Sequence, residues 1–297
     1  MHPDGQIDTN ALTAHLAEVC SIRGICGLLL NGHAGEGHFL SHAERGKIIE
    51  IARANTSRTC FITAGVTAEA TDAAVEEARI SASAGADALL VFPPNHWSAG
   101  LDPEIALSHH TAIARATDLP LVLYKAPVTA GHISYSEAVM KRLLNELGAI
   151  VAIKEGSWEV AAYEHTWRLA AGLRPDVAVL GSGDEHLLTS YLIGSRGSQV
   201  SLAAIIPEVI VALYDAAQKN DWVSARASHE ALYALSVAIY RDAPGYLATA
   251  RLKACLKLLG RIPDDTVRRP MRQLTVPELT RLQAVLTTSE LASGNAA

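Results

Sequence analysis

Short runs of apolar residues alternate with longer amphipathic segments over the N-terminal part of the chain. The runs are rich in Val, Ile and Leu and end in Gly, Pro or polar residues, which is typical of buried parallel strands. Ser41 and Glu44 have the spacing of a capping box and predict a helix that continues to about Ala54. Thr71 and Asp72 are likewise predicted to cap the next helix. The alternation therefore predicts successive βα units and a parallel sheet.

Seven strands are predicted from these runs, and the pattern changes to helices alone after Pro207. The strands begin at Ile25, Thr59, Ala88, Leu121, Ile150, Val177 and Gly197. The last of them is Gly197–Leu202, and a polar tail follows about Leu286. No Pro- or Ser-rich linker separates the helical part. We therefore expect residues 1–207 to form the βα part and residues 208–297 to form helices packed on it within the same domain.

Two α/β architectures fit a parallel sheet of this kind, an open doubly wound sheet and a (β/α)8 barrel. The glycine-rich segment Gly32–Gly37 follows a strand but lacks the G-x-G-x-x-G spacing of a dinucleotide-binding fold. Polar residues instead follow many strands, as they do around the active-site face of a barrel: Asn31, Tyr124, Lys154, Ser182 and Ser201. We therefore predict a (β/α)8 TIM barrel with a C-terminal helical extension, one strand short of eight.

Composition narrows the class of protein further. The chain has 297 residues and a formal net charge of -6, and its pI of about 6.0 disfavours binding to nucleic acid or to an anionic membrane. Its four cysteines form no C-x-x-C pair, and neither a signal-peptide pattern nor a bilayer-spanning apolar run occurs in the sequence. His33, His38 and His42 lack a carboxylate at helical spacing that would complete a metal site. We expect a soluble, cytoplasmic protein with no metal.

Lys154 ends the strand that begins at Ile150, so that an ammonium group meets the end of an apolar run. Its side chain either extends into water or is an amine in a low-dielectric site, where a lowered pKa lets it attack a carbonyl. Tyr124 ends the preceding strand, and neighbouring strands lie about 4.8 Å apart. A phenol beside an amine suits imine chemistry, and a rim tyrosine that only contacts water remains the alternative. Lys125 is a second amine, which we predict to point outward.

Four segments, in this order, resemble the landmarks of one family: Gly32–Glu36, Tyr124–Pro127, Ile153–Glu155 and Ser182–Glu185. Along nearly its whole length, including Arg268–Met271, the chain is similar to the dihydrodipicolinate synthase / N-acetylneuraminate lyase family of pyruvate-dependent class I aldolases. The resemblance implies a barrel with extra C-terminal helices, a homo-oligomer (dimer or tetramer), and catalysis without metal or organic cofactor. It also implies a first barrel strand before Pro3, which this sequence lacks. We expect that the start codon was assigned too late, and a truncated chain or another element that closes the barrel remains the alternative.

Carried over by position, the resemblance makes Lys154 the Schiff-base lysine and Tyr124 the tyrosine that relays protons. The loop that holds the substrate's 2-oxo carboxylate is matched by Gly32, His33 and Ala34. Two further positions that line the pocket in the family are matched by Gly183 and Gln199. The resemblance thus implies a complete binding site for a 2-oxo acid.

Three departures from the family pattern argue against dihydrodipicolinate synthase itself. His33 and Ala34 occupy positions where the family loop usually has two hydroxyl residues. The segment Phe92–His96 has no tyrosine to match the one that a partner subunit contributes in the synthase. Val128 and Thr129 stand where the synthase has an arginine for its aldehyde substrate's carboxylate, a charge-assisted contact typically worth about 1.5–3 kcal/mol.

The expected function is therefore that of a Schiff-base-forming lyase (aldolase) that acts on a 2-oxo acid and releases or uses pyruvate. Two alternatives stay open: a 2-keto-3-deoxy sugar-acid dehydratase with the same lysine, and a catalytically silent paralogue that binds a 2-oxo acid. His33, with an ordinary pKa of about 6.5, is expected to contact the substrate as a cation, so that affinity weakens as the pH rises. If His33 only caps a neighbouring helix, affinity is independent of pH.

Overall fold

All strands of the sheet run parallel and lie next to one another in the order in which they occur along the chain. The computed structural model describes residues 1–289. Its strands are β1 (Gly27–Leu30), β2 (Phe61–Val66), β3 (Ala88–Val91), β4 (Leu121–Lys125), β5 (Ile150–Glu155) and β6 (Ala178–Gly181). A curled parallel sheet in sequential order, with a helix after each strand, confirms the predicted α/β barrel class.

Helices follow the strands and then continue alone to the end of the described chain. They are α1 (Thr9–Ser21), α2 (His42–Asn55), α3 (Thr71–Ser83), α4 (Pro103–Ala116), α5 (Glu137–Glu146), α6 (Val160–Leu173), α7 (Leu187–Ile193), α8 (Pro207–Gln218), α9 (Trp222–Tyr240), α10 (Ala248–Leu258) and α11 (Val276–Thr288). The predicted polar tail falls mostly on residues 290–297, outside the described residues. No helix of residues 1–289 is both long and apolar enough to cross a bilayer.

The predicted helix caps are correct for α2 and wrong for α3, although α3 begins close to the predicted position. Ser41 caps α2 as predicted, because its hydroxyl accepts the N–H of Glu44 and its own N–H donates to the Glu44 carboxylate. At α3 the N-cap is Ala70, and no side chain caps this end. The hydroxyl of Thr71 instead lies 2.9 Å from Nδ1 of His109 on α4. A tertiary contact has therefore taken the hydroxyl that the local pattern assigned to the cap.

The predicted seventh strand, Gly197–Leu202, is not a strand. A single bridge joins Ser198 to Gly181 of β6, and a 3-10 helix (Ser201–Ala204) replaces the rest. The segment does hydrogen-bond to β6, since Gly181 donates to the carbonyl of Gly197 and Gln199 donates to the carbonyl of Gly181. On its other side no strand of the described residues lies next to it. Only the first residues of the segment are thus held against β6, and from Ser201 the chain turns into the 3-10 helix.

Three clusters of buried apolar residues divide the molecule. The largest fills the space between the outer face of the sheet and helices α1 to α6. A second joins α7 to the C-terminal helices α8 to α11. The third, inside the sheet, is small and includes alanines such as Ala88 and Ala152 beside Leu90 and Val122. Small side chains on the inner face leave room for a large cavity within the barrel.

Candidate active site

Lys154 and Tyr124 meet inside the barrel, as the sequence predicted. They are direct neighbours in the register of β4 and β5, so their side chains leave the same face of the sheet. Nζ of Lys154 lies 5.6 Å from the centroid of the Tyr124 ring. Both side chains line a cavity of about 1170 Å³ at the carboxyl ends of the strands. An amine and a phenol therefore face the same cavity.

Inside the cavity the amine of Lys154 loses its proton more easily than an ordinary lysine does. Burial within the barrel lowers the pKa of Lys154 to about 8, against a smaller opposing effect of Asp184. Burial also raises the pKa of Asp184 to about 7, and its carboxylate accepts the N–H of Leu202 at 3.0 Å and the hydroxyl of Tyr240 at 3.4 Å. Near neutral pH a useful fraction of Lys154 is thus the neutral amine, which is the form that attacks a carbonyl.

Aromatic rings fix the position of Tyr124. The Phe92 ring lies 4.8 Å from it and the His33 ring 5.6 Å from it, edge on. Gly156, directly after β5, makes space for the phenol, because a Cβ there would come within 3.0 Å of the tyrosine ring. Burial, followed by the charge of Glu155, raises the pKa of Tyr124 well above its ordinary range. The phenol therefore keeps its proton and is a donor at neutral pH.

The loop after β1 presents backbone N–H groups to the cavity. Asn31 and Glu36 adopt left-handed φ angles of 58° and 57°, which bend the chain between them into a tight loop. Gly37 must be glycine, because a Cβ would lie 2.0 Å from the carbonyl oxygen of Asn31. Within residues 1–289 the N–H groups of Ala34 and Gly35 have no protein acceptor. Such a loop can bind a carboxylate through its backbone.

Buried ion pairs hold this loop from behind. Arg45 of α2 donates to the carbonyl of Gly37 at 2.6 Å and lies 3.2 Å from the carboxylate of Glu77 on α3. Glu36 accepts from Lys253 of α10 at 2.9 Å and from the N–H of Arg268 at 3.2 Å. The loop is therefore fixed both to the barrel helices and to the C-terminal helices.

His33 occupies this loop, and its environment contradicts the expected protonation. The ring faces the cavity and stacks on Phe92 at 4.1 Å and on His38 at 4.7 Å. Burial among these groups, followed by the charges of His38 and Lys154, lowers the pKa of His33 to about 3. The imidazole is neutral at physiological pH, so the prediction of a cationic His33 that titrates near its ordinary pKa is wrong. A neutral ring can still donate one hydrogen bond.

Most of the predicted site residues line the same cavity. Besides the amine and the phenol these are Gly32, His33, Ala34 and Gln199, and Oε1 of Gln199 is buried without a hydrogen-bond partner in the described structure. Gly183 is not among the residues that line this cavity, and a Cβ placed on it would lie 3.8 Å from Trp158. No group of three or more potential metal ligands converges within residues 1–289.

Sequence reasoning missed four residues of the cavity wall. Phe92 and Asp184 lie within segments that the family resemblance had already marked, and their chemistry could have been read there. Trp158 follows Lys154 on the loop after β5, but nothing local distinguishes it from an exposed loop residue. Tyr240 reaches the cavity from the end of α9, far along the chain, and no sequence pattern indicates that contact.

The cavity continues away from Lys154 along the free edge of β1. Gly27 and Leu28 line one side of this extension, and Gly197 and Ser198 line the other. No strand of the described residues lies between these two edges. The barrel wall is therefore open at this point, in agreement with the predicted lack of one strand.

Lys125 lies on the outer face of the sheet, as predicted. Its Nζ donates to the hydroxyl of Thr166 on α6 at 2.7 Å, and the side chain is buried. Thr166 lies 3.4 Å from the carboxylate of Glu155, which also accepts the hydroxyl of Ser157 at 2.9 Å. Lys125 is thus enclosed by a hydrogen-bonded network and does not line the cavity.

Comparison with known proteins gives one consistent result. The family model described as "Dihydrodipicolinate synthetase family" matches residues 1–289. The chain is 29% identical over 269 residues, 91% of its own length and 87% of the other, to a probable 2-dehydro-3-deoxy-D-pentonate aldolase of Escherichia coli. It is 30% identical over 264 residues, 89% and 85% of the two lengths, to a 4-hydroxy-tetrahydrodipicolinate synthase of Phenylobacterium zucineum.

The fold matches a solved structure of the same family. A prophage protein of the dihydrodipicolinic acid synthase family from Escherichia coli, solved in complex with pyruvate, superposes with a TM-score of 0.89. The match covers 98% of this chain and 95% of the other at 25% identity. Sequence and fold therefore agree along nearly the whole described length.

Proposed function

Because this chain belongs to the dihydrodipicolinate synthetase family, whose members are lyases and aldolases, we propose that it is a class I lyase that binds a 2-oxo acid as an imine on Lys154. The observation that carries the proposal is the amine of Lys154, with its pKa lowered to about 8, in a cavity that it shares with Tyr124. The pyruvate complex of the similar prophage protein supports pyruvate as the smallest ligand.

Imine formation begins when the neutral amine of Lys154 attacks C2 of the 2-oxo acid. The resulting carbinolamine loses water, and the phenol of Tyr124 donates a proton to the departing oxygen. The protonated imine then accepts an electron pair from the neighbouring carbon–carbon bond. In a 4-hydroxy-2-oxo acid, loss of the hydroxyl proton and breaking of the C3–C4 bond give an aldehyde and an enamine. Protonation of the enamine at C3 and hydrolysis of the imine release pyruvate and free Lys154.

The carboxylate of the substrate binds at the loop after β1. The free N–H groups of Ala34 and Gly35 and one N–H of the neutral His33 ring supply hydrogen bonds there. These donors need no protonation, so they hold the carboxylate over a wide pH range. Arg45 and Lys253 keep the loop in place without contacting the substrate.

Dehydration is a second outcome from the same imine. In a 2-keto-3-deoxy sugar acid, loss of a proton from C3 of the imine gives an enamine with the C3–C4 bond intact. This enamine can expel the C4 hydroxyl, which leaves as water when Tyr124 protonates it. The similarity to a probable 2-dehydro-3-deoxy-D-pentonate aldolase supports a sugar acid of this kind as a substrate to test. Product analysis distinguishes the two, because cleavage yields pyruvate and dehydration does not.

Borohydride trapping tests the proposal. Treatment with pyruvate and borohydride is expected to reduce the imine to a stable secondary amine, and peptide mass mapping is expected to locate the three-carbon adduct on Lys154. A protein that forms the adduct but turns over no 2-oxo acid is a binding paralogue. If no 2-oxo acid gives an adduct, or if the adduct lies on Lys125, the proposed mechanism is wrong.

A further inference from the structure

Trp158 has a backbone conformation that large residues rarely adopt. It lies on the loop after β5, four positions beyond Lys154, with a φ angle of 59°. A non-glycine residue in the left-handed region is held there only when its surroundings compensate for the strain. Its side chain must therefore make contacts that outweigh the unfavourable backbone.

Those contacts build a wall of the cavity. The Trp158 ring lies 5.0 Å from the Tyr240 ring, and the Arg241 guanidinium lies over it at 5.5 Å from its centre. All three side chains line the same cavity as Lys154. Pro127 and Val128, on the loop after β4, also line the cavity. The N–H of Val128 donates to the carbonyl of Ser157, which joins this loop to the loop that carries Trp158. The space beyond the lysine is thus bordered by aromatic and apolar surface.

The charges around this space are already paired. Arg241 donates through Nε to both carboxylate oxygens of Glu185, at 3.1 and 3.0 Å. Lys253 is paired with Glu36 at 2.9 Å. Glu159, at the rim, adds an exposed carboxylate that repels anions. Near Trp158 and Tyr240 the described residues therefore offer no unpaired cation except Lys154 itself to a second carboxylate. Arg196 also lines the cavity, but it donates to the carbonyl of Pro175, which precedes β6 and lies toward the opposite ends of the strands.

We propose that the part of the substrate beyond the imine carbon carries an uncharged, flat, apolar group, such as an aryl ring, which packs against Trp158 and Tyr240. The inference rests on the proposed function, because Lys154 must hold the 2-oxo end. Packing on aromatic rings gives affinity through buried area and stacking, and it discriminates against a charged end that would lose its water without a partner. Trp158 then determines specificity without taking part in the bond-breaking step.

A matched pair of 2-oxo acids tests the inference on the full chain. 2-Oxo-4-phenylbutanoate ends in a phenyl ring and 2-oxoadipate ends in a carboxylate, and each is trapped on Lys154 in competition with pyruvate. We expect the phenyl compound to half-saturate trapping at a concentration about tenfold lower than 2-oxoadipate. A 2-dehydro-3-deoxypentonate, whose distal end is polar but uncharged, serves as the third comparison and is expected to bind more weakly than the phenyl compound.

Trp158→Gly removes the ring and leaves a residue that adopts the same φ angle without strain. We expect the preference for the phenyl compound over 2-oxoadipate to fall by about tenfold. A purely structural tryptophan would instead change both compounds equally. Trp158→Phe keeps a ring and is expected to retain most of the preference. Val128→Asp places a carboxylate in the same space and leaves the loop after β5 unchanged. We expect this variant also to lose the preference for the phenyl compound over 2-oxoadipate.

Three results would overturn the inference. They are equal or tighter binding of 2-oxoadipate, tighter binding of the sugar acid than of the phenyl compound, and an unchanged preference in both Trp158→Gly and Val128→Asp. Failure of the wild-type protein to form any adduct with pyruvate is a different outcome. It contradicts the proposed function itself, so the two failures can be told apart.

Discussion

The inner and outer faces of β4 and β5 carry similar groups in opposite situations. On the inner face Lys154 sits beside Tyr124 in the cavity, and on the outer face Lys125 sits beside Glu155 under α6. Burial lowers the pKa of both amines. Within residues 1–289 the outer amine donates a hydrogen bond to Thr166, which contacts the carboxylate of Glu155, whereas Nζ of Lys154 makes no hydrogen bond to the protein.

The difference teaches how one sheet can use lysine for structure and for chemistry. A buried ammonium that donates to fixed acceptors stays charged and stabilises the elements it joins. A buried amine that faces empty space, with a carboxylate only at a distance, loses its proton more easily and can act as a nucleophile. The register places the two pairs side by side, so the outer network fixes the strands from which Lys154 and Tyr124 project. Each prediction below changes one face and compares it with the other.

The largest expected effect is loss of the inner amine. Lys154→Arg is expected to abolish trapping with pyruvate, because guanidinium stays protonated and cannot attack a carbonyl. The same substitution on the outer face, Lys125→Arg, is expected to leave an adduct on Lys154. Peptide mapping of both reduced proteins makes the comparison. An adduct in the Lys154→Arg protein would show that another amine forms the imine.

Removal of the phenol is expected to have the next largest effect. Tyr124→Phe keeps the packing against Phe92 and His33 and removes only the proton donor. General acid–base assistance is typically worth about 10²–10⁴-fold, so turnover should fall by that factor while trapping on Lys154 persists. Steady-state turnover is measured beside the yield of the reduced adduct. Unchanged turnover would mean that Tyr124 is a tyrosine at the rim of the barrel that takes no part in proton transfer.

Substitutions on the outer face are expected to lower the stability of the fold instead of the activity. Lys125→Met removes the hydrogen bond to Thr166 and the cation whose charge opposes the raised pKa of Glu155, which is expected to cost about 1–3 kcal/mol of the free energy of unfolding. The double variant Lys125→Met with Glu155→Gln removes both charges and should recover part of that loss. Denaturant unfolding measures the cycle. The single variant Glu155→Gln completes the cycle, and if the effects of the two single variants add up to the effect of the double variant, the two outer charges do not interact.

Some of these features could be predicted from the sequence and others could not. The meeting of Lys154 and Tyr124 follows from the adjacency of parallel strands, and the outward direction of Lys125 follows from the alternation of side chains along a strand. The strand at Gly197–Leu202 was wrong because the chain turns into a 3-10 helix at Ser201, where the N–H of Leu202 donates to Asp184, a tertiary contact that no local pattern reports. The wall at Trp158 could not be foreseen either, since it is completed by α9 from far along the chain.

The pH dependence of trapping separates the two lysines further. The attacking form of Lys154 is the neutral amine, so below its pKa of about 8 the rate of imine formation is expected to fall about tenfold per pH unit, and above that pKa to level off. The rate is measured with cyanoborohydride at a fixed pyruvate concentration. Lys125→Arg is expected to give the same profile. An inflection near the ordinary lysine pKa of about 10.4 would mean that the cavity does not perturb Lys154.

The smallest expected effect concerns His33. This residue lies in the substrate loop, and its burial keeps the imidazole ring neutral. Burial and the nearby charges of His38 and Lys154 lower the pKa of His33 to about 3, so the ring binds no proton between about pH 6 and 8. Pyruvate affinity should therefore show no inflection from imidazole in that range. His33→Thr exchanges one neutral donor for another and should change the half-saturating pyruvate concentration by about fivefold or less. Half-saturation is measured at several pH values for both proteins, and parallel profiles are expected. A wild-type inflection near the ordinary imidazole pKa of about 6.5 that disappears in His33→Thr would instead mean that the ring is a cation in the working protein.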